Sequence, residues 1–186
     1  MNKKFAFILS LFVLLVLPAC GLLGSVTGGS DSTGADGATL FAIPPDPISV
    51  TPTLDTAYQV EATVPVAGGS LGVTGADGTV FRLDIPADAL PTDTLIRMTP
   101  LSRLDGMPFG SNPYAVQLEP EGLQFYAPVT LTITPVQQIP VDQQLFFTYQ
   151  GMGENLTLAL PVVDSPEIKL ELQHFSGYGV TKGMLA

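Results

Sequence analysis

Tryptophan is absent, cysteine and histidine occur once each, and 7 Lys and Arg face 17 Asp and Glu in 186 residues. One cysteine excludes an intrachain disulfide, and one imidazole excludes a histidine metal cluster. The deficit of positive charge, net −10, leaves no cationic face with which to hold phosphate, so nucleic acid is excluded as a partner. With no Trp and few clustered aromatics, stacking on sugars is poorly provided for. An immunoglobulin-like carbohydrate or adhesin module is therefore the least favoured class. The 19 Gly and 17 Pro argue against a helical bundle, because Pro costs about 3 kcal/mol inside a helix. The length accommodates one ordinary domain with appendages.

What is present begins with a processing signal. Lys3 and Lys4 precede an apolar run, Phe5–Leu17, too short for a membrane span, which needs roughly 20 residues. The run ends in Leu17-Pro18-Ala19-Cys20, which resembles the lipobox of bacterial lipoproteins: an aliphatic residue, a small residue, then the cysteine. The resemblance implies a diacylglyceryl group on the Cys20 thiol, cleavage before Cys20, and acylation of the new amine. Two or three acyl chains anchor stably, whereas one is marginal at about 0.8 kcal/mol per buried CH₂. Removing residues 1–19 takes away Lys3 and Lys4, so the charge moves from −10 to −12, and no other thiol remains to oxidise. Gly21 follows the cysteine in place of an acidic retention signal. The expected location is the cell envelope: the outer membrane where there is one, otherwise the outer face of the cytoplasmic membrane.

Residues 20–56 read as lipidated cysteine and linker. Gly21–Gly37 has the composition of a flexible tether and Pro44–Thr56 that of a stiffer, extended one. A tether of this length holds a domain roughly 30–35 Å from a membrane. Thr33-Gly-Ala-Asp-Gly37 recurs as Thr74-Gly-Ala-Asp-Gly78, either as an old repeat or as two turns, since Asp-Gly favours hairpin loops.

From residue 57 to 186 the chain reads as one β domain. Short runs between turn signals predict strands at Tyr58–Val64, Ser70–Thr74, Thr79–Ile85, Thr94–Thr99, Tyr114–Glu119, Val129–Thr134, Leu145–Tyr149, Leu156–Leu160, Ile168–His174 and Tyr178–Thr181. Val129-Thr-Leu-Thr-Ile133 and Ile168-Lys-Leu-Glu-Leu172 alternate with period two, as in sheets packed on one face and wet on the other. About ten short strands with no long amphipathic helix predict an all-β, antiparallel β-sandwich. Its expected core is Phe81, Ile85, Leu95, Val116, Phe125, Leu131, Ile133, Phe146, Leu158 and Leu170, with one helical turn expected over Pro86–Leu90.

Three landmarks within this region resemble one family. Gly68-Gly-Ser-Leu71, Asp77-Gly-Thr-Val-Phe81 and Leu83-Asp-Ile-Pro-Ala-Asp-Ala-Leu90 look like the opening of the ZU-five domain of ankyrins and netrin receptors. Leu118-Glu-Pro-Glu-Gly122 followed by Phe125-Tyr-Ala-Pro-Val-Thr-Leu131 is similar to that family's Pro-x-Gly and Phe-x-x-Pro-Val. His174-Phe-Ser-Gly-Tyr-Gly179 resembles the His-Phe-Ser tripeptide of its self-cleaving members, also found in an autoproteolytic nucleoporin domain. Asp88 departs from the pattern, standing where the family has Gly. The resemblance spans roughly Val64–Val180 and implies a β-sandwich interaction module.

It also implies a chemistry, self-cleavage between Phe175 and Ser176. Ser176 Oγ would attack the Phe175 carbonyl and water would hydrolyse the resulting ester, with His174 as base. A tight turn between the last two strands, with Gly177 supplying backbone freedom, would distort the amide. The competing reading makes His174 a strand-edge cap and Ser176-Gly177 an ordinary turn. Other groupings are weaker. No Ser-His-Asp set can be singled out, Glu119 and Glu121 read as solvated carboxylates, and Asp84 with Asp88 lacks the spacing of a Ca²⁺ loop. Gly72–Gly78 lacks the Lys and helix of a phosphate loop, and Asn155-Leu-Thr157 fits a glycosylation sequon. No metal or cofactor is implied. The expected function is a membrane-anchored lipoprotein displaying a β-sandwich binding or structural module to an unidentified envelope partner, at most with a single-turnover self-cleavage.

Overall fold

Within Val80–Ile85, Gln124–Thr134 and Ile168–His174 apolar and polar side chains alternate, and each run forms a strand whose apolar face is buried. A computed structural model describes residues 46–162 and 167–183. Cys20, its lipobox, the Gly21–Gly37 tether and the first Thr-Gly-Ala-Asp-Gly copy lie outside the described residues. The chain divides into two units, Met1–Phe41 and Ala42–Ala186, and the second holds every described residue.

That unit is all β. Its strands are β1 (Thr51–Leu54), β2 (Val60–Val64), β3 (Gly69–Thr74), β4 (Val80–Ile85), β5 (Thr94–Asp105), β6 (Ser111–Glu119), β7 (Gln124–Thr134), β8 (Gln144–Gln150), β9 (Glu154–Leu158), β10 (Ile168–His174) and β11 (Gly177–Lys182). They form two sheets with antiparallel pairing throughout. One runs β1-β5-β6-β11-β8-β9 with β2 also on β5, and the other runs β10-β7-β4-β3. Leu83, Leu131 and Leu170 of the smaller sheet meet Ile96, Met98, Val116 and Val180 of the larger in one buried layer. Each such side chain contributes about 1.5–3 kcal/mol on burial.

The expected sandwich is thus present, with ten of its strands at the anticipated places and one more ahead of them. Two expected core residues face outward: Leu95 is 54% and Leu158 63% exposed. Period two decides this for Leu95, because Ile96 and Met98 take the inward positions of its strand. Leu158 has the same phase as buried Leu156 and is exposed as the last residue of its strand. Phe125 is only partly buried. Strand β5 runs past the expected end at Thr99 because its neighbour changes at Pro100. Val60 pairs with Met98, then Leu54 with Leu101, so a residue without N–H falls between two partners.

The expected helical turn over Pro86–Leu90 is instead a non-helical turn. Asp88 sits there at φ 61°, its N–H donating to Val66 O at 2.8 Å. The left-handed region is one that Asp tolerates better than most residues and Gly better still. The second Thr-Gly-Ala-Asp-Gly copy is the β3–β4 turn, closed by Gly75 N–H to Thr79 O at 2.9 Å and Gly78 N–H to Gly75 O at 2.9 Å. The Asp77 carboxylate accepts from the Thr79 N–H and hydroxyl. It is a longer loop than the two-residue Asp-Gly hairpin.

The other face of the larger sheet is also covered. Phe147 and Tyr149, both fully buried, pack there with Val50, Leu104, Ala115 and Leu156. The covering chain is the segment read as stiff and extended. Ile48 O accepts from Leu156 N–H and Val50 N–H donates to Gly153 O, both at 2.8 Å, and the next residues pair with β5 as β1. The segment therefore joins the β9 side of the sheet to the β5 side and roofs this second cluster.

Candidate functional site

His174, Phe175 and Ser176 connect the two sheets. β10 belongs to the smaller sheet and β11 to the larger, so the tripeptide is a crossover rather than the expected hairpin turn. The reason is local. The β10–β7 register slips between Leu172, opposite Val129, and His174, opposite Gln124, an irregularity that re-aims the chain. Phe175 then drops into the core, fully buried, its ring edge-on to Phe125 at 4.9 Å between centroids. Gly177 serves a different end from the one expected. Its φ is not positive, and a Cβ there would collide with the Tyr149 ring. The glycine makes room rather than freedom.

The backbone around the Phe175–Ser176 bond is held on every side. Phe175 N–H donates to Leu123 O at 2.9 Å, Gly122 N–H to Phe175 O at 3.0 Å, and Leu118 N–H to Ser176 O at 3.2 Å. The side chains converge too. Ser176 Oγ, in a residue 1% exposed, donates to Glu121 Oε1 at 3.1 Å and lies 3.5 Å from His174 Nδ1. His174 Nδ1 is 3.3 Å from Phe175 O. The Tyr178 hydroxyl donates to His174 O at 2.9 Å.

Glu121, read from the sequence as a solvated carboxylate, is the hub of this cluster. Its Oε1 also accepts from Gly151 N–H at 3.0 Å and its Oε2 from Gln117 Nε2 at 3.1 Å. No local pattern marks it, because Ser176 is 55 residues away and only the fold brings them together. Glu119 is elsewhere engaged, its Oε2 3.3 Å from Arg97 Nη1. Asp84 pairs with Arg82 at 2.8 Å and accepts from the Ser70 hydroxyl. Asn155 donates to Gln150 Oε1 at 2.8 Å.

The two tyrosines beside the cluster are shifted. Burial pushes the Tyr178 hydroxyl up to about 12, with the Glu121 carboxylate adding to it and the Thr148 hydroxyl opposing. Burial, aided by Glu121, raises Tyr149 further still. The charged form of a phenol loses its hydration in both places. The Tyr149 hydroxyl and Gln117 Oε1 are buried without a hydrogen-bond partner among the described residues.

Chemically, the arrangement places a hydroxyl beside a peptide carbonyl, a carboxylate on the hydroxyl, and a backbone N–H donor and an imidazole nitrogen on the carbonyl oxygen. No family model matches the chain, and no curated protein matches it.

Proposed function

We propose that this protein is a lipid-anchored component of a bacterial cell envelope that displays one β-sandwich as a binding or structural module. The observation that carries the reading is the position of the sole cysteine. Cys20 directly follows a basic start, an apolar run of secretory length and Leu-Pro-Ala, while the packed sheets begin about Ile48. The intervening chain is rich in Gly, Ser and Asp, the composition of a tether. The acidic composition, net −10, disfavours adhesion to other anionic surfaces. Detergent partitioning of wild type against Cys20→Ser tests it. The wild type enters the detergent phase and incorporates labelled palmitate, and the variant does neither. Equal recovery of both in the aqueous phase would remove the anchor.

A second reading, self-processing between Phe175 and Ser176, is favoured by the Ser176 hydroxyl contact to Glu121 at 3.1 Å beside the hydrogen-bonded Phe175 carbonyl. It agrees with the resemblance of His174-Phe175-Ser176 to the self-cleaving ZU-five members. The carboxyl-terminal product would contain β11, which lies between β6 and β8, so the fragments would stay together. Intact mass of purified protein under denaturing conditions separates the cases. Two fragments in wild type and one chain in Ser176→Ala support self-processing, and a single full-length mass in both sinks it.

A further inference from the structure

The self-processing reading takes His174 as the base for Ser176, but the hydrogen bonds distribute the roles differently. We propose that Glu121 is the catalytic base and that His174 serves the Phe175 carbonyl oxygen instead. The inference rests on the self-processing reading and assigns its machinery.

Four observations carry it. Ser176 is a residue only 1% exposed, so its hydroxyl proton must pass to a neighbouring side chain. Glu121 Oε1, at 3.1 Å, is closer than His174 Nδ1, at 3.5 Å. The carboxylate is also fixed, by Gly151 N–H on Oε1 and Gln117 Nε2 on Oε2, whereas Glu121 itself belongs to an exposed turn from which water can exchange its proton. His174 Nδ1 lies 3.3 Å from Phe175 O, an atom that can only accept. A proton on Nδ1 therefore satisfies that contact and makes His174 a second donor beside Gly122 N–H at 3.0 Å. A pair of donors on the oxygen where charge develops is the arrangement that stabilises an acyl-transfer oxyanion.

The step balances without a further reagent. As Ser176 Oγ bonds to the Phe175 carbonyl carbon, its proton passes to Glu121, and the negative charge on Phe175 O is held by Gly122 N–H and His174 Nδ1–H. Collapse breaks the Phe175 C–Ser176 N bond, and Glu121 returns the proton to the leaving nitrogen, giving an ester and a free Ser176 amine. Water then adds to the ester carbonyl, releasing a Phe175 carboxylate and restoring the Ser176 hydroxyl.

The test is a time course of chain cleavage after cell-free synthesis of the full chain. Wild type, Glu121→Gln, Glu121→Asp, Glu121→Gln with Ser176→Cys, and His174→Ala with Ser176→Cys are compared, and folding of each is checked by circular dichroism. Loss of a general base slows proton transfer by roughly 10²–10⁴-fold, so Glu121→Gln slows cleavage at least about 100-fold. Glu121→Asp keeps the carboxylate and falls between. A thiol depends far less than a hydroxyl on a base, being intrinsically nucleophilic with a few per cent thiolate at about pH 7, so Ser176→Cys restores cleavage in the Glu121→Gln chain. It does not restore it in the His174→Ala chain, which lacks an oxyanion donor. Wild-type cleavage by folded Glu121→Gln, or thiol rescue of His174→Ala but not of Glu121→Gln, would return the base to His174. A wild type that never cleaves overturns the self-processing reading itself, and this assignment with it.

Discussion

The ring of Tyr149 lies on Gly177, its Cζ occupying the space that a β-carbon at position 177 would need. The neighbouring pair repeats the device. A Cβ on Gly179 would come within 2.5 Å of Phe147 Cζ, so two aromatics of β8 cross β11 over two glycines. Gly177 and Gly179 face Tyr149 and Phe147 in the strand register, which makes each glycine a packing partner rather than a turn residue.

Gly177→Ala is accordingly expected to destabilise the protein by about 3 kcal/mol, the upper end of typical overpacking costs. Denaturant melts measure this, and a double-mutant cycle attributes it. In a Tyr149→Ala background the added cost of Gly177→Ala shrinks to a fraction, because the clashing ring is gone.

Tyr149→Phe has the opposite sign. The hydroxyl is buried and unpartnered among the described residues, so removing it relieves a desolvation penalty while keeping the ring. A gain of about 1 kcal/mol in unfolding free energy is expected. An unchanged or lower stability would mean that the hydroxyl makes a stabilising bond.

Alkaline pH should weaken the fold. Tyr178 titrates near 12 when folded against about 10 when unfolded, and Tyr149 is raised as well. Between those values the unfolded chain releases protons that the folded chain retains, so unfolding becomes easier as pH rises. Stability contributed by the neutral phenols is therefore fully present below pH 10 and declines from about 10 through 12. Urea midpoints at successive pH values record the decline, and Tyr178→Phe makes it shallower.

Val50→Ala tests the roof over the second cluster. Val50 is 6% exposed among Leu104, Phe147 and Leu156, and losing two buried methyl groups costs about 2 kcal/mol. A chain beginning at Ala57 loses the whole segment and uncovers Phe147 and Tyr149. Its thermal midpoint should fall much further than that of Val50→Ala.

The sandwich was legible because period-two alternation is a local signal, and Ile168-Lys-Leu-Glu-Leu172 carries it in five residues. β1 carries no such signal. Thr51-Pro-Thr-Leu54 has the composition of an extended spacer, and only its pairing with Arg103, Leu104 and Asp105 makes it a strand. A phase error explains the misplaced Leu95, since in Thr94-Leu-Ile-Arg-Met98 two adjacent apolar residues compete for one inward position. At the candidate site the His174-Phe175-Ser176 tripeptide was visible and its surroundings were not. Glu121 reaches Ser176 by folding, as Tyr149 reaches Gly177, and neither pairing leaves a trace in spacing.

The segment from Ile48 to Leu54, bonded to β9 at one end and to β5 at the other, also has a mechanical meaning. Any pull travelling along the backbone from its amino-terminal side arrives here first. The load meets the bonds to Gly153 and Leu156 before those to β5, so the two borders of the sheet are strained in turn. Single-molecule stretching from the amino terminus should record an early, separate rupture when Leu156 and Gly153 let go, before the remaining strands yield.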